Sequence, residues 1–115
     1  MKSLKECLRL SASVKIYVPS TMDVDKAIDS AKFVDEALAF LTEEYGGATA
    51  SLAEGAWLAN SGAIVRESVT LLNAFCAPEA LAASEGRLLA FCARLKAAMR
   101  QESVALEVNN ELYLV

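Results

Sequence analysis

Residues 55–72, GAWLANSGAIVRESVTLL, hold the side chains whose types and spacing are best suited to chemistry. The only tryptophan, Trp57, lies there with an adjacent pair of opposite charges, Arg66 and Glu67, in an otherwise apolar stretch. Neighbouring strand residues point to opposite faces of a sheet, so Arg66 and Glu67 cannot form a simple facing ion pair. Glu67 shares its parity with apolar residues and is expected on a buried or half-buried face. There it needs a partner such as Arg100, Gln101 or a charge from a second subunit.

Two interpretations of this segment stand side by side. In the first, Glu67 is a structural tie that fixes the register of a strand, and the segment is a hairpin with a polar pair. In the second, Glu67 is a carboxylate in a pocket, and Trp57 forms the pocket wall. Gln101 and Glu102 stand at a predicted helix-to-strand junction, where their side chains can satisfy free backbone groups.

Several common chemistries are excluded by the residues that the sequence does not contain. The absence of histidine removes histidine-based nucleophile pairs, histidine metal ligands and the commonest general base near neutral pH. Asp23, Asp25 and Asp29 are spaced like the start of a calcium loop. However, Ile28 and Val34 occupy the positions at which such a loop needs glycine and a bidentate glutamate. The sequence therefore predicts no metal site and no cofactor.

The composition is that of a small, apolar and acidic domain. The 115 residues predict one domain, residues 1–115, and the 55% hydrophobic share predicts a subunit interface or an apolar pocket. The net charge of −4 argues against a nucleic-acid partner. Three cysteines without a Cys-x-x-Cys motif, and no signal peptide or membrane span, predict a cytoplasmic protein with free thiols.

The charges are unevenly placed along the chain. Acidic residues concentrate after Pro19, whereas basic residues concentrate between Arg87 and Arg100. These segments are expected as solvated helix faces or, alternatively, as surfaces that dock between subunits. Exposed charge pairs contribute only about 0–1 kcal/mol each, which favours the first alternative.

Alternating and helical patterns predict the elements. Apolar residues at even positions predict a half-buried first strand, most clearly at residues 14–18. In the fourth predicted element the odd positions, including Val65 and Leu71, are expected to face the core. Gly46 and Pro78 mark a helix end and a helix start. In chain order, the predicted elements are a strand at residues 4–18, a helix at 31–45, strands at 48–59 and 63–77, a helix at 78–100 and a hairpin at 102–115.

This order predicts an α+β protein with the ferredoxin-like split βαβ arrangement. An antiparallel sheet carries two helices on one face, and an extra strand follows at the C-terminus. The second face of the sheet still holds apolar residues, so we expect a partner to cover it. A homodimer through the sheet or its edge is the simplest such partner.

Several short motifs together resemble a family of small bacterial domains of unknown function. These are Gly55-x-Trp57, Arg66-Glu67 and the run QESV at residues 101–104, and the match spans about residues 45–108. The N-terminal part and the last hairpin have no counterpart in that pattern. The resemblance implies a ferredoxin-like fold and no particular activity. It marks these residues as candidate binding residues, with the catalytic residues unknown: Trp57, Arg66, Glu67, Gln101 and Glu102.

Two functions follow from these patterns. The favoured one is a homo-oligomeric binding or assembly module of the cytoplasm, in which Arg66 and Glu67 are structural. The alternative is a cofactor-free enzyme or small-molecule binder of the dimeric α/β-barrel type. It would hold a small apolar ligand in a pocket near Trp57 and Glu67. Neither a nucleic acid nor a membrane is expected as a partner.

Overall fold

The computed structural model describes residues 3–22, 26–27 and 29–115, with only the backbone described at residues 21–22 and 26–27. A short 3-10 turn at Leu4–Glu6 precedes the first strand. The strands are β1 (Ala12–Pro19), β2 (Thr21–Met22), β3 (Lys26–Ala27), β4 (Thr49–Leu58), β5 (Ile64–Cys76), β6 (Ala105–Val108) and β7 (Glu111–Leu114), and the helices are α1 (Ala31–Tyr45) and α2 (Pro78–Ala98).

Five of the strands form one antiparallel sheet in the order β4-β5-β1-β6-β7. β1 lies at the centre because it pairs with β5 on one side and with β6 on the other. β2 and β3 form a separate two-stranded ribbon. The predicted α+β class, with an antiparallel sheet, two helices and an additional C-terminal strand, is confirmed.

The core lies between one face of the sheet and the two helices. The even residues of β1 are fully buried there, whereas its odd residues are half-buried on the opposite face. α1 contributes Ala37 and Leu41. α2 and the residue that follows it contribute an apolar stripe, all of whose members are buried: Leu88, Phe91, Cys92, Leu95 and Met99.

The helix ends follow the local signals in the sequence. The Ala31 N–H donates to the Asp29 side chain over 3.0 Å, which satisfies one free donor at the start of α1. Gly46 ends α1 with φ 92°, a left-handed conformation that glycine adopts without strain. Pro78 opens α2, where its missing N–H leaves no bond unmade. Of the aspartates in the rejected calcium pattern, Asp23 and Asp25 lie outside the described residues.

The acidic and basic segments meet within one chain. The Arg87 guanidinium on α2 donates to Glu44 on α1 over 2.6 Å. One residue further along α1, the hydroxyls of Tyr45 and Ser84 lie 2.7 Å apart. These two pairs tie the helices together, so at least this part of the charge pattern is used inside the subunit.

Two expectations about the strands are wrong. The alternation at Leu4, Leu8 and Leu10 does not continue the first strand, because β5 ends at Cys76 opposite Ala12 and offers no partner beyond that point. On β5 the even residues, not the odd ones, face the core in the second half of the strand. Both parities are apolar there, and pairing with β1 decides which side is buried.

Candidate functional site

The site of interest lies on the sheet face opposite the helices, which we call the open face. Cross-strand partners point to the same face of a sheet. Tyr17 pairs with Leu71, and Glu67 pairs with Gly55, so all four positions belong to the open face. The loop between α2 and β6 and the strand β7 border this face at the other side.

A groove of about 480 Å³ crosses the open face. We call it the open-face groove. Its volume falls in the range of sites that hold small molecules. Gly55 leaves the space in front of Glu67 clear, because it carries no side chain. The groove is lined mainly by apolar residues, which include Pro19, Gly55, Trp57, Val69, Leu71 and Leu112. A few polar side chains also line it, among them Tyr17, Glu67, Gln101 and Ser103.

Three of the five candidate residues line the open-face groove. These are Trp57, Glu67 and Gln101, which come from β4, β5 and the loop after α2. Trp57 is 42% exposed and therefore presents part of its ring to solvent. Glu67 is half-buried, in agreement with the expected environment. The structure thus brings together residues that are far apart in the sequence.

Arg66 and Glu102 are not among the residues that line the groove. Arg66 lies on the opposite face of the sheet from Glu67, as the alternation of a strand requires. Its Nη2 atom donates to Glu54 over 2.9 Å, and both side chains are more than half exposed. Glu102 is exposed in the loop that precedes β6. The two neighbours therefore have separate roles: Glu67 lines the groove, whereas Arg66 forms an ion pair with Glu54 on the surface.

The loop after α2 is held by backbone bonds that place Gln101 at the groove. The Gln101 N–H donates to the Lys96 carbonyl over 3.0 Å, and the Arg100 N–H donates to the Ala97 carbonyl over 3.3 Å. Arg100 has φ 52°, a left-handed conformation that glycine usually occupies at a helix end. The Gln101 side-chain amide also donates to the Met99 carbonyl over 3.2 Å. This end of the helix is closed by its own backbone and by one of the predicted junction residues.

A polar network on the open face was not foreseen from the sequence; Tyr17 lines the open-face groove, whereas Lys15 and Glu107 line a separate recess of the same face. The Tyr17 hydroxyl donates to Glu107 over 2.7 Å, and the Lys15 ammonium lies 3.6 Å from the same carboxylate. The hydrogen bond to Glu107, together with burial, raises the pKa of the Tyr17 phenol above its usual value, so the phenol stays protonated. No sequence signal connects these residues, because the pairing of β1 with β6 brings them together.

Comparisons with known proteins relate this fold to an enzyme. No protein-family model and no curated protein sequence matches the chain. Among solved structures, a phage SAM lyase in complex with S-methyl-5′-thioadenosine matches with a TM-score of 0.69 and 20% identity, over 98% of this chain and 95% of that one. The apo state of a phage SAM lyase matches with a TM-score of 0.68 and 21% identity over the same shares. At this level of identity the likeness shows a shared fold.

The expectation that the chain functions as an assembly module is wrong. The structures that share the fold over nearly the full chain are those of an enzyme, and one of them holds a small ligand. The alternative, an enzyme or small-molecule binder with a pocket near Trp57 and Glu67, agrees better with these findings. An apolar sheet face can serve either assembly or ligand binding, and in this chain that face forms a groove.

The described residues contain neither a membrane-spanning helix nor a cluster of metal ligands. No helix in the described part of the chain is both long and apolar enough to cross a membrane. Within residues 3–22, 26–27 and 29–115, no group of three or more Cys, Asp or Glu side chains is arranged to hold a metal ion.

Proposed function

We propose that this chain is an enzyme that binds SAM (S-adenosylmethionine) in the open-face groove and cleaves it to release S-methyl-5′-thioadenosine. The observation that carries the proposal is the half-buried carboxylate of Glu67 beside Trp57 in an apolar groove of suitable volume. The shared fold with a SAM lyase, one structure of which holds S-methyl-5′-thioadenosine, supports the choice of substrate.

The charge of the groove suits a cationic substrate. SAM carries a sulfonium and an ammonium group against a single carboxylate, so it is a net cation at neutral pH. The charged residues that line the groove, among those described, are the acidic Glu54 and Glu67. The Glu54 side chain lies on the other face of the sheet, where it accepts a hydrogen bond from Arg66, so Glu67 is the acidic side chain on the face that carries the groove. The net charge of −4 on the chain also favours the approach of a cation.

The aromatic and apolar parts of the groove suit the adenosine end of the same molecule. The partly exposed ring of Trp57 offers a surface on which a purine can stack. Its π face also attracts cations, which include the sulfonium centre. The Gln101 side chain, held by its hydrogen bond to the Met99 carbonyl, lines the groove with an amide that has both donor and acceptor atoms for a ligand.

The proposed reaction breaks the bond between the sulfonium sulfur and the Cγ atom of the amino-acid chain. The electron pair of that bond stays on sulfur, which becomes the neutral thioether of S-methyl-5′-thioadenosine. In one route a carboxylate oxygen of the substrate bonds to Cγ as the S–Cγ bond breaks, which gives a lactone. In the other route a proton on Cβ passes to Glu67, and the electron pair of that C–H bond forms a double bond between Cβ and Cγ as the S–Cγ bond breaks. In both routes the positive charge on sulfur and the negative charge on a carboxylate decrease in the transition state. An apolar groove stabilises such a less charged transition state better than water does, relative to the charged reactants.

The first experiment is to incubate the purified protein with SAM and to follow the products by mass spectrometry. We expect S-methyl-5′-thioadenosine together with one four-carbon product, whose mass and NMR spectrum distinguish the lactone from the alkene. The Glu67→Gln variant should lose at least 100-fold in rate, as is typical when a charged group that acts on the transition state is removed. If the wild-type protein releases no S-methyl-5′-thioadenosine above the uncatalysed rate, the proposal is wrong.

Glu102→Gln is the matched control, because Glu102 is exposed and does not line the groove. It makes the same chemical change and should retain the wild-type rate. Thermal melts of both variants distinguish a structural role of Glu67 in the strand from a role in the ligand site. A structural tie predicts that Glu67→Gln lowers the free energy of unfolding by about 1–3 kcal/mol. A site residue predicts that stability is unchanged or higher.

We also propose two assignments that frame this function. The strand order supports a ferredoxin-like topology, in which β4, β5, β1 and β6 form the split βαβ sheet and β7 is an added edge strand. The motifs at Gly55-x-Trp57 and Glu67, together with Gln101, border one groove, which supports the resemblance to the family of small bacterial domains. On this proposal the family's motifs serve a ligand site.

A further inference from the structure

The N-terminal arm, residues 3–11, stands away from the body of the protein. Every residue of the arm is exposed, and Leu4 and Leu8 are exposed to 89% and 88%. Leucine side chains in full contact with water favour burial against another apolar surface. The base of the arm is nevertheless fixed, because Ser13 and Asn109 exchange two hydrogen bonds of 3.0 Å at the start of β1.

A second groove, distinct from the open-face groove, lies on the other side of the sheet between α2 and the β6–β7 hairpin. We call it the helix-side groove, and its volume is about 510 Å³. Leu88 and Leu106, both fully buried, lie at its base, whereas Leu89 and Tyr113 are exposed at its rim. An apolar groove of this size that reaches buried residues is a suitable seat for leucine side chains.

The charges of the arm and the helix-side groove are complementary. The arm carries Lys5 and Arg9, against one acidic residue. The only charged residue among those that line the groove in the described chain is Glu85. Glu111 adds a second carboxylate beside it, because it accepts the Tyr113 hydroxyl over 3.1 Å. A basic, leucine-bearing segment therefore fits an acidic-rimmed, apolar groove.

The base of the arm lies next to its own helix-side groove, because Ser13 is bonded to Asn109, which lines that groove, but the arm runs away from the groove. Leu10 borders a recess formed with Tyr45 and Thr49, at the β4 edge of the sheet. The helix-side groove borders β7, which is the opposite edge. With the 3-10 turn at Leu4–Glu6 retained, the nine residues reach up to about 25 Å, which exceeds the roughly 16 Å that α2 spans along the groove. The arm is therefore directed outward and is long enough to follow the groove of a neighbouring molecule.

We propose that residues 3–11 of one copy dock into the helix-side groove of a second copy of this chain, with Leu4 and Leu8 as the apolar anchors. This docking is independent of the reaction proposed above, since it uses the face of the sheet opposite the open-face groove. Lys5 and Arg9 then lie against the acidic rim of the groove.

Cross-linking between two differently tagged chains tests the contact directly. One chain keeps Cys7, which is exposed within the arm, and the other carries Cys7→Ser with Ala82→Cys in the groove. Cys76 and Cys92 are buried, and burial raises the pKa of Cys92 to about 11, so they do not compete. Mild oxidation should link the two chains. The matched control replaces Ala82→Cys by Ala97→Cys, which is exposed on the same helix beyond the groove.

A link with Ala82→Cys at a yield at least tenfold above the Ala97→Cys control supports the proposal. Equal yields, or no link at either position, overturn it. Light scattering across a dilution series gives an independent readout with Leu8→Ser, which should raise the dissociation constant of the assembly at least tenfold. Leu52→Ser, a substitution at a leucine that is 85% exposed on β4, should leave that constant unchanged. A wild-type protein that is monomeric at every concentration also overturns the proposal.

Discussion

Replacing Gly55 by alanine separates the stability of the sheet from the use of the open-face groove. Gly55 lies within β4 opposite Glu67 and lines the groove. A Cβ atom built at this position has its nearest neighbours, the Glu67 carbonyl and a Val69 methyl, at 4.0 Å. This distance is an ordinary van der Waals contact, and the backbone is not left-handed there. The new methyl group therefore fits the fold and projects into the groove.

The magnitude of the stability change follows from the backbone. Glycine within a strand is less favourable than alanine by about 0.5–1 kcal/mol, because the unfolded glycine has more conformational freedom to lose. With an unfolding entropy of about 2.1 cal/mol/K per residue, a chain of 115 residues should gain about 2–4 °C in Tm. We thus expect Gly55→Ala to melt at a higher temperature than the wild-type protein.

The same methyl group should weaken ligand binding. It takes space in front of Glu67, and such overpacking costs about 1–3 kcal/mol, so we expect about tenfold weaker binding of S-methyl-5′-thioadenosine. Isothermal titration calorimetry measures the dissociation constant, and differential scanning calorimetry measures Tm. Gly86→Ala is the control, because it removes a glycine from the exposed surface of α2 without lining either groove. It should raise Tm and leave binding unchanged.

Two outcomes for Gly55→Ala would refute this reasoning. A lower Tm would mean that the methyl group meets atoms that the geometry places at 4.0 Å, so the account of the strand would be wrong. Unchanged binding of S-methyl-5′-thioadenosine, with the Gly86→Ala control behaving as expected, would mean that the ligand does not use the open-face groove in front of Glu67.

Two further predictions concern the ties between the helices. Tyr45→Phe removes the 2.7 Å hydrogen bond to Ser84 and should lower the free energy of unfolding by about 1 kcal/mol in urea titrations; an unchanged midpoint would contradict a role for this bond. Arg87 lowers the pKa of Glu44 below its usual value of 4.5, so this pair stabilises the fold above that pH and the effect is lost as pH falls through the lowered pKa. Arg87→Gln should therefore melt below the wild-type protein at pH 7 and at the same temperature at pH 2, and a constant difference would contradict the assignment.

Local signals in the sequence were sufficient for most of the elements. The helix ends at Gly46 and Pro78 depend on φ freedom and on a missing N–H, which are properties of single residues. The turn at Asn109 and Asn110, with φ of 51° and 67°, likewise needs side chains that tolerate a left-handed backbone. The α+β class could be predicted because apolar residues repeat about every 2 residues in a strand and about every 3.6 in a helix. This repeat is visible in the sequence even when the neighbouring elements are unknown.

Partner-dependent features could not be predicted in this way. Leu4 and Leu8 alternate like strand residues, but none of the strands that the structure describes lies beside them, so their periodicity does not produce a sheet. On β5 both parities are apolar around Leu71 and Leu72, and only the register with β1 buries Leu72 and leaves Leu71 on the open face. A two-residue repeat does not indicate which face of a strand is buried when the residues on both faces are apolar.

The candidate site shows the same division. The sequence by itself identified Trp57 and Glu67 as a tryptophan and a carboxylate in an apolar segment, and strand alternation placed Arg66 on the other face. The sequence also offered Gln101 as a partner for Glu67 and as a candidate binding residue, but it did not indicate Tyr17. Only the tertiary structure decided that Gln101 and Tyr17 border the same groove, since β5 and α2 must pack against β1 before these residues meet. Residue types are local properties, whereas a groove is formed by segments that the chain joins only when it folds.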